Sequence, residues 1–357
     1  MNYHHEKYMK LALQLAERGR FSVSPNPLVG CVLVKQDRII GSGWHEKAGS
    51  PHAECNAINN AIESTQGATA YITLEPCNHV GRTPPCVPRL IESGIETVYV
   101  ATLDPNPLVH GRGIEQLKAA GVDVHLGLCA EEAVQQNRYF FHFMKNTTPF
   151  VVAKWAMSLD GKISVRAGDD KQLSSFESQE EAHRLRHEVD AILIGSHTAI
   201  LDDPLLTVRY QDAIAKHPIR IVLCGQHTRL PFDLRLLNPD LPSETWIMVP
   251  HDIEVAWYDE AIKRNLKVIR CETKAGNIDL SSLMRNLGKY NITSLLVEGG
   301  LAVLHSFFSE QLVCESRVFL TPHIIGELPQ KSPISFQGIS QLGADYYLTA
   351  THEAQHV

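Results

Sequence analysis

Two short stretches of this chain carry residue types that bind metal and move protons. Residues 51–54 read Pro-His-Ala-Glu, and residues 76–86 read Pro-Cys-Asn-His-Val-Gly-Arg-Thr-Pro-Pro-Cys. Together they offer His52, Cys77 and Cys86 as ligands. Zn²⁺ takes thiolate and imidazole readily, and three protein ligands leave a fourth tetrahedral position for water, the pattern of catalytic zinc. Two thiolates and a neutral imidazole cancel the charge of the ion, so its water is acidified only in part and a nearby base is needed. Glu54 is the candidate: it is no ligand, but could take a proton from that water and return it to a leaving group. The competing expectation is a structural site closed by a fourth ligand, for which His79 is the candidate.

His52 and Glu54 are two residues apart, which on a helix separates their side chains by about 200°. They cannot share a mid-helix face. Pro51 offers a resolution, because a helix that starts here lets residues of its first turn address a metal lying beyond its N-terminus. Cys86 follows Pro84-Pro85 in the same way. Two helix N-termini would then point at one ion, and their partial positive charge favours thiolate over thiol.

The elements around these residues alternate. Met9, Ala12, Leu13 and Ala16 recur at helical spacing before Gly19; strands are expected at Leu28–Val34 and Ile39–His45, a helix from His52 to about Glu63, and a strand at Ala70–Leu74. A helix near Cys86–Ser93, a strand at Thr97–Ala101, a helix near Gly113–Ala120, a strand at Val122–Leu126 and a helix over Ala130–His142 complete an α/β sandwich. Periodicity lapses over residues 143–148 and ends at Pro149. It restarts in FVVAKWAM, DAILIG, IRIVLC, TWIMV, LKVIR, SLLVEGG and SRVFL, with helical patterns at Ser178–Val189, Asp259–Asn265 and Leu301–Ser309. A length of 357 residues thus divides into two α/β domains, expected at 1–146 and 147–357, with no internal repeat.

Charge narrows the partners. Residues 1–146 hold 13 Lys/Arg against 14 Asp/Glu, and residues 147–357 hold 20 against 26, so neither half has the basic excess that nucleic-acid binding draws on. No nucleic acid is expected. No apolar stretch approaches the ~20 residues that span a bilayer, and charge interrupts the N-terminal segment too often for a secretory signal. No membrane partner and a cytoplasmic location are expected. Eight cysteines are too sparse for a disulfide framework.

His-x-Glu followed by Pro-Cys and a second Cys is the pattern of zinc-dependent nucleobase deaminases, in which zinc hydroxide attacks an amidine carbon and ammonia leaves. The Cys-x8-Cys spacing departs from the usual Cys-x2-Cys, and the inserted residues carry His79 and Arg82 into the mouth of the site. At these residues the chain resembles the bifunctional deaminase/reductases of riboflavin biosynthesis. PNPLVGCV (25–32), GSGWHEKAGSPHAE (41–54), TLEPCNHVGRTPPC (73–86) and DPNP (104–107) match that family's pattern. The resemblance implies a cytidine-deaminase-like domain, with Asn26, His45, His79, Arg82, Asp104 and Asn106 gripping an aminopyrimidinone and its ribose phosphate.

KWAMSLDGKIS (154–164), SHTAILDDPLLTVR (196–209), PIRIVL (218–223) and LLVEGGLAVLHSFF (295–308) resemble the reductase half of the same family, which has a dihydrofolate-reductase-like fold. No Gly-x-Gly-x-x-Gly is present, so a Rossmann cofactor site is not expected. Glu298-Gly299-Gly300 instead closes a strand and opens a helix whose N-terminus would draw a pyrophosphate. With the resemblance to an NADPH-dependent reductase, the candidate contacts to the cofactor here are Gly300, Leu301, Ala302, Val303, Leu304, His305 and Ser306. The resemblance adds Ala156, Gln172, Thr198 and Asp202 near the cofactor, and Asp170, Arg186, Leu205, Arg209 and Glu298 near substrate. Family members commonly carry Ser-x-Trp-Ile where this chain has Asp170-Lys171-Gln172-Leu173. Arg186 and Arg209 are natural clamps for a phosphate.

The implied activity is hydrolytic deamination of 2,5-diamino-6-(5-phosphoribosylamino)pyrimidin-4(3H)-one, then NADPH-dependent reduction of the ribosyl group of 5-amino-6-(5-phosphoribosylamino)uracil. The alternative is a zinc nucleobase or tRNA deaminase with an inactive second domain. Edge strands in the second half, which a partner subunit could cover, suggest a homodimer.

Overall fold

A computed structural model describes residues 2–79, 84–163, 175–209, 216–321, 334–342 and 345–352. Arg82, Asp170 and Gln172 lie outside the described residues. The chain forms two compact units, one of Met1–Phe150 with Leu283–Ser294 and one of Val151–Ser282 with Leu295–Val357.

In the first unit the elements run α1 (Asn2–Glu17), β1 (Gly30–Lys35), β2 (Arg38–Trp44), α2 (Ala53–Asn59), β3 (Thr69–Ile72), α3 (Cys86–Glu92), β4 (Thr97–Val100), α4 (Arg112–Ala119), β5 (Asp123–Leu126), α5 (Ala130–Gln136) and α6 (Arg138–Asn146). The sheet has the order β2-β1-β3-β4-β5, with β1 antiparallel to both neighbours and β3, β4 and β5 parallel. Alternation in β1 sends Cys31 and Leu33 to one face and Val32 and Val34 to the other, and both faces are buried. Ala53 and Ala57 of α2, Val87 and Leu90 of α3 and Leu117 of α4 cover the first; Tyr8, Met9, Ala12 and Leu13 of α1 and Ala133 of α5 cover the second. The result is the expected three-layer sandwich. Gly43 lets α2 lie directly on β2, since a Cβ there would sit 2.5 Å from the Ala57 nitrogen.

Two expected helices differ. The helix from His52 ends at Asn59, because Asn60 turns back to donate from Nδ2 to the Ser42 carbonyl at 3.1 Å and Ile62 N–H donates to Ile40 O at 2.8 Å. The helix over Ala130–His142 is two helices, α5 and α6, broken at Asn137, and α6 runs on to Asn146. Asn137 is buried and its side chain accepts from Leu28 N at 2.7 Å while donating to Leu28 O at 2.9 Å, so one amide completes the backbone of a distant loop.

The second unit contributes β6 (Phe150–Ser158), α7 (Phe176–Glu188), β7 (Ala191–Gly195), α8 (Ser196–Asp202), β8 (Ile219–Leu223), β9 (Thr245–Pro250), α9 (Val255–Lys263), β10 (Lys267–Cys271), β11 (Thr273–Lys274), β12 (Asn277–Ile278), β13 (Ser294–Val297), α11 (Leu301–Ser309), β14 (Glu315–Thr321), β15 (Ile334–Leu342) and β16 (Asp345–His352), while α10 (Leu280–Lys289) falls mostly in the Leu283–Ser294 segment of the first unit. Seven strands form one sheet in the order β10-β9-β8-β7-β13-β6-β14, matching all seven β-rich runs read from sequence. The helices α8 and α10 and the hairpins β11-β12 and β15-β16 were not expected.

Replacing Asn137 by Ala leaves the Leu28 N–H and C=O buried without their partners. The expected cost is roughly 2–4 kcal/mol in the urea unfolding free energy of the first unit. A loss under about 0.5 kcal/mol would show that water substitutes for the amide.

Candidate active sites

His52 is the N-cap of α2 in extended conformation, Glu54 lies in the first turn, and Cys86 opens α3 with Pro85 as its N-cap. Cys77 comes from the loop after β3, held by the start of α3: Cys86 N–H donates to Cys77 O at 3.0 Å and Val87 N–H to the same oxygen at 3.2 Å. The Cys86 N–H also lies 3.4 Å from the Cys77 sulfur. His52 Nδ1 is 3.5 Å from Cys77 Sγ and 3.3 Å from Cys86 Sγ, and the three donor atoms all fall within 4.8 Å of one another.

Tetrahedral zinc with ordinary Zn–S and Zn–N bonds places imidazole nitrogen and sulfur about 3.6 Å apart, so the donor set fits that ion in both chemistry and spacing. Among the described residues no other His, Cys, Asp or Glu joins the group, and His79 in particular does not. Three ligands with a fourth position open is the catalytic arrangement. The Cys77 thiol is drawn down, first by the hydrogen bond from Cys86 and then by His52, which favours the thiolate a metal needs.

Glu54 is 3% exposed. Burial, followed by the charge of Cys77, raises its carboxyl to about 7, a value suited to proton transfer in both directions near neutrality. It shares a cavity of about 350 Å³ with His52, Cys77, Asn26, His45 and His79. Asp104 and Asn106 line the same cavity, so every first-half candidate among the described residues except the buried Cys86 appears in its wall. His45 is buried and does more than face the cavity. Asn26 Nδ2 donates to its Nε2 at 3.0 Å, which leaves Nδ1–H to donate to Pro51 O at 3.2 Å, one residue before His52. Burial lowers its pKa below the ordinary imidazole value. Asp104 is raised to about 6, first by burial. His79 Nδ1 and Asn78 Oδ1 are buried without a hydrogen-bond partner among the described residues, a cost that a polar ligand would remove.

In the second unit Arg186 of α7 and Glu298, just past β13, form a bidentate pair with both distances 2.8 Å. Lys154 of β6 lies 3.8 Å from the same carboxylate. Arg209 N–H donates to His183 Nδ1 at 3.2 Å, and its guanidinium donates to Thr207 Oγ1 at 3.0 Å. Arg186 and Arg209 lie close enough to lower His183 to about 4, after burial as the first cause. The start of α11 meets α8 where Gly300 N–H donates to Thr198 Oγ1 at 3.1 Å. Asp202 ends α8 and Ala156 lies in β6, with Leu205 in the segment that leads to Arg209. Residues 301–306 form the first turns of α11.

Two family descriptions match the chain: the cytidine and deoxycytidylate deaminase zinc-binding region over residues 2–102 and the RibD C-terminal domain over residues 149–354. The RibD protein of Aquifex aeolicus is 42% identical over 322 residues, covering 90% of this chain and 88% of the relative. That of Escherichia coli is 39% identical over 332 residues, with coverage of 90% and 88%. The chain belongs to the RibD family. Among solved structures, Acinetobacter baumannii RibD superposes with a TM-score of 0.82 at 33% identity, covering 99% of this chain and 100% of that one. A Thermotoga maritima protein described as a diaminohydroxyphosphoribosylaminopyrimidine deaminase/5-amino-6-(5-phosphoribosylamino)uracil reductase gives 0.80 at 30% identity, covering 98% and 99%.

The RibD assignment places a deaminase fold before a reductase fold and leaves three polar residues that the sequence reading passed over. Lys154 precedes Ala156 by two in one strand, so period-2 spacing puts both on one face. His183 precedes Arg186 by three on α7, again on one face. Glu75, buried two residues before Cys77, had no such local signal.

Burial alone would raise Glu298, but Arg186 and then Lys154 outweigh it and hold the carboxyl at about 2, below the ordinary 4.5. A folded-state pKa below the unfolded one stabilises at every pH above 4.5, and the contribution disappears as pH falls from 4.5 towards about 2. Chemical denaturation of Glu298→Gln should therefore show a deficit of about 3 kcal/mol at neutral pH that narrows in that window. A deficit independent of pH would contradict the ionised pair.

Proposed function

We propose that this chain carries out two successive steps of riboflavin biosynthesis. Its first domain hydrolyses the 2-amino group of 2,5-diamino-6-(5-phosphoribosylamino)pyrimidin-4(3H)-one, and its second reduces the ribosyl group of the resulting 5-amino-6-(5-phosphoribosylamino)uracil to ribityl. The observation that carries this reading is the three-ligand His52, Cys77, Cys86 cluster beside a buried Glu54, in a chain that also matches the RibD reductase domain. The rival with an inactive second domain is not favoured, since relatives named RibD align over both halves.

His52, Cys77 and Cys86 hold zinc in this reading. Zinc bound there supplies the Lewis acidity that acidifies the attacking water. Glu54 accepts that water's proton and delivers it to the departing amino nitrogen, so ammonia leaves as the ring carbon gains its oxygen. Asn26, His45, His79, Arg82, Asp104 and Asn106 hold the pyrimidine and its ribose phosphate. Without a basic field on the domain, binding falls to a few placed groups.

NADPH supplies the hydride for the second step. Gly300 to Ser306 at the start of α11, with Ala156, Gln172, Thr198 and Asp202, would hold it, and the helix N-terminus would favour the charge of its phosphates. Asp170, Arg186, Leu205, Arg209 and Glu298 hold the substrate. The pair of Glu298 with Arg186 fixes both side chains before substrate arrives, which leaves Arg209 as the phosphate clamp with the fewer competing carboxylates. Among the described residues no helix is long and apolar enough to cross a membrane. A cytoplasmic location, a domain boundary near residues 146–150 and a homodimer joined through the reductase half belong to the same proposal.

Two measurements test it. Supplied with the diaminopyrimidinone ribotide, the protein should release ammonia with or without NADPH, and should oxidise NADPH only after deaminated product exists; oxidation that precedes ammonia release would reverse the order. Glu54→Gln should lower ammonia release by at least about 100-fold. The variant should keep its zinc and reduce added deaminated intermediate at the normal rate, and retained deamination would remove Glu54 from its assigned role.

A further inference from the structure

Glu75 is 4% exposed and sits two residues before Cys77. Its carboxylate is occupied by backbone. Oε2 accepts from the N–H of Asp104 at 3.2 Å and of Gly111 at 2.9 Å, while Oε1 accepts from Gly113 at 2.9 Å and Ile114 at 3.3 Å. Four donors use about all the lone-pair positions a carboxylate has, so its hydrogen-bonding capacity is taken up by backbone.

Three of the four donors belong to the start of α4. Its N-cap, Gly111, makes no side-chain cap, so the carboxylate of a residue 36 positions earlier satisfies those amides and faces the positive end of the helix. Gly113 permits the close approach: a Cβ there would lie 2.1 Å from the carbonyl oxygen of Pro76. The fourth donor is Asp104, whose own Oδ1 accepts from Asn106 N–H at 2.8 Å, while Asn106 Oδ1 accepts from Leu108 N–H at 3.1 Å. These local bonds fix the shape of the loop, and Glu75 fixes where the loop stands.

The geometry points to Glu75 as a positioning residue of the deaminase: it locks the segment carrying Asp104 and Asn106 in register with the segment carrying Cys77. Substrate held by the first segment is thereby aligned with the ion held by the second. This rests on the reading that Asp104 and Asn106 hold substrate. Glutamine at 75 keeps the size but turns an NH₂ group towards backbone N–H donors, so it removes acceptors and adds a donor clash.

The test compares Glu75→Gln, Glu75→Asp and Asn106→Ala in the full-length zinc protein. Glu75→Gln should keep one zinc per chain and normal reduction of supplied deaminated intermediate, while its deaminase KM rises about tenfold or more with kcat within about threefold. Amide hydrogen exchange over residues 104–114 should accelerate in that variant, and Glu75→Asp, which retains the acceptors, should recover part of both effects. Loss of kcat at unchanged KM, loss of zinc, or unchanged KM and exchange would each overturn the assignment. If Glu75→Gln does not fold, the same KM and exchange readings on Glu75→Asp decide it. Asn106→Ala separates the two layers of the argument. An unchanged KM there removes the loop from substrate binding, whereas a raised KM there beside a normal KM in Glu75→Gln removes only Glu75.

Discussion

The first domain depends on bringing two sulfurs and an imidazole nitrogen within 4.8 Å of one another in a largely buried place. Such a cluster is costly unless something fixes the ionisation of its members, and the chain does so with backbone. Two helices begin at His52 and Cys86, so their unsatisfied amides and partial positive charge lie where they favour thiolate over thiol. The Cys86 amide near the Cys77 sulfur is the visible part of that arrangement. Beneath it, glycine in β2 lets α2 settle against the sheet, which sets the depth at which Glu54 is buried.

The second domain is organised around a different solution to the same problem. There a buried carboxylate, Glu298, is kept ionised by a guanidinium and an ammonium that come from separate elements, α7 and β6. Burial raises the energy of every unpaired charge, so the three groups are mutually required. The arginine that a sequence reading offers simply as an anion clamp is already committed to a partner. Arg209, whose side-chain bond is to a threonine hydroxyl, is the more available cation for a phosphate.

What could be read from sequence was what local spacing encodes. Pro51 and Pro85 mark helix starts, and those starts reconcile His52 with Glu54 and orient Cys86; the structure has both helices beginning where proline indicated. The seven strands of the second sheet were likewise visible as β-rich runs. Glu75 was not, because its four donors lie 29 to 39 residues away and nothing in a Leu-Glu-Pro-Cys string announces them. Asn137 was read as an interior helix position for a similar reason. Its amide interrupts the helix in favour of Leu28, a partner that periodicity cannot see. Lys154, by contrast, is two residues from Ala156 in one strand, a relation that period-2 spacing encodes.

The Asn137 break bears on the order in which the first domain assembles. Its bonds to Leu28 close a loop of 109 residues, whereas His52 and Cys86, the most distant pair of the donor cluster, are 34 residues apart. Loop-closure entropy favours the shorter loop by about 1 kcal/mol, so bringing His52 to Cys86 costs less chain entropy than fixing the helix break that sets Phe140 of α6 in the cavity wall.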